Sequence, residues 1–163
     1  MKCRVLVVCA LFAVAVCATF AGCSKGPKEG PVALVTGKLT NNGVPLEVKK
    51  GPGGGGVEIV FGEYTEGGKR PDPGKIFSAS VDADGSFKLA GRFGRGIPLG
   101  KYRIGVHQWE PVERKPGTKM PKGVSAKGVD LLQGKFDDLT SPIVREVTDK
   151  NKTFDIDLTK PEG

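Results

Sequence analysis

Beyond residue 31 the apolar residues recur at every second position in short runs, and each run stops at a turn-forming cluster. The clearest case is centred on Asp84-Gly85. Phe77, Ala79 and Val81 alternate before the pair, and Phe87 and Leu89 alternate after it. Glycine accepts the positive φ of a tight turn, so this arrangement predicts a β-hairpin over 77–89. A second strand follows, in which Tyr102, Ile104 and Val106 share one face. Upstream, 32–39 predicts a first strand with Val35 and Leu39 facing inward and Gly37 between them. Asn41-Asn42-Gly43 predicts a turn, and Val44-Pro45-Leu46 an edge piece, where proline does no harm to a ladder. Val57, Ile59 and Phe61 mark another strand. Near the end, 141–147 and 153–158 predict two more, joined by a turn at Asn151-Lys152. In the last, Phe154, Ile156 and Leu158 face inward while Asp155 and Asp157 face outward. Segments 63–75 and 111–123 read as polar loops rich in Pro and Gly, and 129–133 as one helical turn.

Composition narrows the fold. The chain holds 25 Gly and 12 Pro in 163 residues, which favours many turns and opposes long helices. With about seven short strands, the expected architecture is all-β, an antiparallel Greek-key β-sandwich. Cys3, Cys9, Cys17 and Cys23 are the only cysteines, so beyond Cys23 neither disulfides nor thiolate-bound metal can hold the fold. A core must do so. About 110 to 120 ordered residues bury roughly two-thirds of their unfolded surface, which suffices. The net charge is +7; without Lys2 and Arg4 it is +5, from 23 cations and 18 anions. That excess is spread over predicted loops with no recognition motif beside it, so it reads as solubility and not as a nucleic-acid footprint.

The first segment is chemically distinct. Lys2 and Arg4 open it, and 5–22 then carries no charge and is dominated by Leu, Val, Ala and Phe. A basic start, an apolar stretch and small residues at its end describe an export signal. The rival reading is an uncleaved membrane-spanning helix of 18 residues, at the lower limit for crossing a ~30 Å hydrocarbon core. Phe20-Ala21-Gly22-Cys23 separates the two. It resembles the lipobox of bacterial lipoproteins, although Phe20 stands where Leu is usual; the alternative is a chance Cys after an ordinary secretory signal. The resemblance implies that Cys23 is lipidated and becomes the new N-terminus. It also implies a cell-envelope protein anchored to the bilayer, with Ser24 compatible with passage to the outer membrane. The expected organisation is a signal over 1–22, the acylated Cys23 and a Gly/Pro tether over 23–31, a β-domain over 32–159 and a tail over 160–163.

Several patterns invite chemistry and lack its remaining parts. The glycine run at 51–56 is closed by no Gly-Lys-Ser/Thr, so it reads as a loop tip and not a phosphate loop. Asp82-Ala83-Asp84-Gly85 begins like a calcium loop, but no acidic ligand follows at the required spacing, so no metal is expected. Gly91-Arg92-Phe93-Gly94-Arg95-Gly96 is a single Arg-Gly copy between strands and reads as a loop. With one His, no Cys after position 23 and no Gly-x-Ser-x-Gly or His-Glu-x-x-His, the parts of a hydrolase are missing. No enzyme, catalytic residue or cofactor is expected. The remaining candidate is Arg103, His107 and Trp109, which share the face of their strand opposite Tyr102. They form either an aromatic stripe for a sugar or acidic polymer, or a strand end whose Trp covers a loop.

The order of these signals also resembles a known family. A strand with Gly37 leads to Gly43-x-Pro45-Leu46, then Val57-x-Ile59-x-Phe61, Ser80-x-Asp82-Ala83-Asp84-Gly85-x-Phe87 and Gly100-Lys101-Tyr102-x-Ile104. This is similar to the carboxypeptidase regulatory-like (transthyretin-like) β-sandwich domains carried by bacterial surface lipoproteins. The likeness covers roughly 32–158, with 61–77 and 109–136 as loop insertions. It implies a fold and supplies no catalytic residues. The expected function is a structural or adhesive envelope lipoprotein without catalysis, whose partners are the bilayer and a glycan or envelope protein. The alternative is a carbohydrate- or polymer-binding module at the cell surface.

Overall fold

A computed structural model describes residues 30–51, 54–112 and 128–161. The expected signal over 1–22, Cys23 and most of the expected tether lie outside the described residues. The strands, in chain order, are β1 (Val32–Ala33), β2 (Val35–Asn41), β3 (Val44–Pro45), β4 (Lys50–Gly51), β5 (Gly54–Glu63), β6 (Ile76–Val81), β7 (Ser86–Leu89), β8 (Ile97–Pro98), β9 (Gly100–Glu110), β10 (Val129–Asp130), β11 (Val144–Val147) and β12 (Thr153–Asp157). One 3-10 turn, Pro73–Lys75, precedes β6. The protein is all-β. Seven of these strands have four or more residues, and five are two-residue pieces. The alternation pattern finds the seven; a two-residue bridge is too short to carry a period.

Ten strands form one curled sheet whose main path is β10-β9-β5-β6-β7-β2-β12; β11 pairs β9, β3 pairs β2 and β4 pairs β5. A separate pair, β1 with β8, ties the start of the domain to the segment before β9. Every pairing is antiparallel except β12 with β2, which is parallel over Thr153↔Thr36 to Asp157↔Thr40. That pairing departs from the wholly antiparallel expectation. The sheet curls between β6 and β7, which share only the bridge Val81↔Phe87, whereas β6 pairs fully with β5 and β7 with β2.

The predicted turn is present, but the strands flanking it pair only at Val81↔Phe87 and not along the whole of 77–89. Gly85 has φ +81°, its N–H donates to the Asp82 carbonyl at 2.9 Å, and the Asp84 carboxylate accepts from the Ser86 amide at 3.0 Å. The turn also docks on β2, because Leu39 N–H donates to the Gly85 carbonyl at 2.8 Å. A Cβ at Gly85 would lie 2.6 Å from the Leu39 carbonyl oxygen. Two local expectations change. The glycine run is not only a loop tip, since Gly54, Gly55 and Gly56 open β5. Residues 129–133 form β10 and a turn, with Gln133 at φ +52°, and not a helical turn.

The curl closes on a single core. Val35, Leu39, Ile59, Phe61, Leu89, Ile104, Val106 and Ile156 are essentially inaccessible, as the period of two requires. Phe61 is its centre: its ring lies 6.3 Å from Phe87, 6.1 Å from Tyr102 and 6.4 Å from Phe154. Phe61 and Phe154 belong to β5 and β12, with three strands between them on the sheet path. Such tilted ring pairs contribute about 0.5–1.5 kcal/mol each beyond burial. Burial pushes the Tyr102 phenol up to about 12, and its hydroxyl donates to the Pro98 carbonyl at 2.7 Å.

Candidate functional site

Arg103, His107 and Trp109 do share one face of β9, the face away from the core. The 137–141 turn crosses that face between the first of them and the other two. Between β10 and β11 the chain stays on the edge of β9, where the Ile104 and Val106 amides donate to the Ile143 and Phe136 carbonyls, each at 2.8 Å. The intervening turn folds over the outer face at Gly105, where a Cβ would lie 2.9 Å from Asp138 Cα. Only glycine permits this approach. Val60 is the cross-strand partner of Gly105, so the same cover explains why Val60 is buried on a nominally outer face.

Arg103 is therefore set apart. Its guanidinium lies over the Tyr64 ring at 5.3 Å and donates to the Ser141 carbonyl. His107 and Trp109 remain together, their rings stacked at 5.3 Å and inclined by 20°. One face of the indole is thus taken by imidazole. Trp109 Nε1 is buried and has no hydrogen-bond partner among the described residues.

Three acids surround His107. Asp130 Oδ2 lies 3.5 Å from His107 Nδ1, with both side chains about 15% exposed. The Asp130 carboxylate also accepts from the amides of Gln108 at 3.2 Å, Leu132 at 3.1 Å and Gly134 at 3.1 Å. Its acceptor capacity is spent mainly on fixing the β10 turn. Burial pushes the Asp138 carboxyl up and Asp137 adds to this, while Arg70 and His107 draw it the other way. Glu58 stands opposite His107 across the β5–β9 ladder. Among the described residues no three His, Cys, Asp or Glu side chains are grouped so as to hold a metal ion.

Beside Trp109 the outer face carries an open cleft of about 240 Å³, lined by Lys50, Gly55, Gly56, Val57, Glu58, Ser80 and Trp109. Its floor is the glycine-rich start of β5, where Gly55 and Gly56 place no side chains beside the indole. Sequence reasoning found Trp109 and His107 but missed Glu58, Asp130 and Asp138. Glu58 carries the right period for the outer face and was legible there. Asp130 and Asp138 sit in irregular segments, where alternation gives no direction. Comparisons with protein-family models, with curated proteins and with solved structures found no match.

Proposed function

We propose that this chain is an exported envelope lipoprotein, acylated at Cys23, whose β-domain is a structural or adhesive accessory without catalysis. The observation that carries the reading is Ala21-Gly22-Cys23 at the end of an uncharged apolar stretch, with no other Cys after it. The anchor would carry more than one acyl chain, and at about 0.8 kcal/mol per buried methylene that gives stable attachment. The first strand begins at Val32, nine residues beyond the Cys, which leaves a short linker rich in Gly and Pro. The domain itself we read as a Greek-key sandwich of the transthyretin-like kind. The single β6–β7 bridge and the Phe61–Phe154 contact support two facing layers. A non-catalytic role is supported by Asp130, whose carboxylate is committed to three backbone amides and is poorly placed to drive His107 as a base. Cys23→Ser is expected to abolish incorporation of a fatty-acid analogue in growing cells and to leave a longer precursor. Undiminished labelling of the variant would end the reading.

The cleft beside Trp109 favours a second reading, a surface module that binds a neutral or acidic glycan. A cleft lined by Trp109 together with Lys50, Glu58 and Ser80 offers apolar contact beside polar groups, the composition that sugar sites use. A glycan array probed with the native chain and with Trp109→Ala tests it. Retained signals that Trp109→Ala does not weaken would remove this cleft from consideration.

A further inference from the structure

We infer that the 91–96 loop is a membrane-contact surface that lays the domain on an anionic phospholipid bilayer at the end where the tether enters. The inference rests on the lipoprotein reading above and adds a lipid-facing side to it. Phe93 is 70% exposed, the most exposed large hydrophobic residue among those described, and it stands at the tip of the loop. Arg92 and Arg95 flank it. Arg95 lies over the Phe93 ring at 6.0 Å, and Arg92 donates to the Pro73 carbonyl at 3.0 Å, a neutral acceptor that leaves the guanidinium its full charge.

The loop is fixed beside the start of the domain by several contacts. Val32 and Ala33 pair with Pro98 and Ile97, and Leu99 N–H donates to the Pro31 carbonyl at 3.1 Å. A Cβ at Gly96 would lie 2.3 Å from Ala33 backbone atoms, so the two segments touch. Gly30, Val32, Phe93, Arg92 and Arg95 line one cleft of about 270 Å³. Seven peptide steps separate Gly30 from Cys23, and they reach at most about 25 Å. An acylated Cys23 therefore keeps this end within that distance of the headgroups. The opposite end carries the 42–43 and 84–85 turns, at the far end of β2.

An exposed aromatic between two arginines matches the headgroup layer: the ring enters the acyl boundary while the guanidinium groups bind phosphate oxygens. An arginine brought to an anionic surface adds affinity of about fivefold, equivalent to ~1 kcal/mol.

The test uses the processed, acylated chain reconstituted into vesicles, with an environment-sensitive fluorophore attached through Phe93→Cys or, as the distal control, Val44→Cys. Val44 is 64% exposed in β3 at the far end. In vesicles of equal parts phosphatidylglycerol and phosphatidylcholine, the probe at 93 is expected to shift to the blue and be quenched by brominated acyl chains. The probe at 44 is expected to do neither. Adding Arg92→Gln with Arg95→Gln, or using phosphatidylcholine alone, is expected to reduce the quenching at 93 severalfold. Equal quenching at both positions, or none at 93 in vesicle-bound acylated protein, overturns the inference and leaves the lipoprotein reading standing. Quenching at 93 that ignores both the arginines and the lipid charge also overturns it. A chain that carries no acyl group overturns both.

Discussion

Asp155 and Asp157 alternate on the outward face of β12 and do different work. Asp155 accepts one bond, from the Lys38 amide at 3.1 Å. Asp157 accepts from the Asn42 amide at 3.0 Å and the Gly43 amide at 2.7 Å, and also from the Thr159 amide and hydroxyl at 2.9 and 2.6 Å. These bonds, those from Thr159 foremost, favour the charged form and hold the carboxyl well below the usual range. A depressed folded pKa contributes stability that is complete above the unfolded value near 4 and fades as pH falls below it. Melting temperature should therefore fall on acidification below about pH 4 more steeply for the native chain than for Asp157→Asn. Thermal melts across a pH series measure this, and parallel curves would contradict it. Alternation places both acids outward and no more. That Asp157 fastens a turn 115 residues away depends on β12 lying beside β2, which no local pattern encodes.

The β2–β12 pair is the least foreseeable element relation and the one most exposed to test. Each strand is plain in the sequence, as are the Asp84-Gly85 turn, the inward face of β9 and the Asn42-Gly43 turn. Partner and direction are not. Two strands far apart in sequence pair by fitting their faces across the fold, and period two is the same for a parallel or an antiparallel neighbour. Gly37 is where the fit becomes chemical: it is in register with Phe154, and a Cβ there would overlap the Phe154 carbonyl and come within 3.0 Å of the Phe87 ring. Gly37→Ala must push β12 outward or displace Phe87. A cost of about 1–3 kcal/mol is expected, as for other overpacked sites. Gly74→Ala is the control, since a Cβ there meets nothing within 4 Å, and its effect should stay within about 0.5 kcal/mol. Equal denaturation midpoints for the two variants would mean that β2 and β12 do not lie this close.

At the scale of the whole molecule, chain order separates the apolar first segment from the β-domain. In the proposed function, segment 1–29 would serve export and attachment; the described residues form the curled sheet, with the cleft beside Trp109 on its outer face. The proposed export and attachment rest on sequence alone, on charge, apolar length and the position of the last Cys, while the strands of the sheet were legible from their period of two. The β9 face was legible only in part. Its residues alternate as expected, but Gly105 admits a turn from a distant segment that divides Arg103 from His107 and Trp109. The central claim is that Cys23 joins this body to a membrane. It is tested most directly by the intact mass of the mature protein purified from membranes. The account predicts a chain beginning at residue 23 and heavier than its polypeptide by a diacylglyceryl group, with or without a third acyl chain. A mass equal to an unmodified polypeptide, beginning at residue 1 or at any other position, would contradict it.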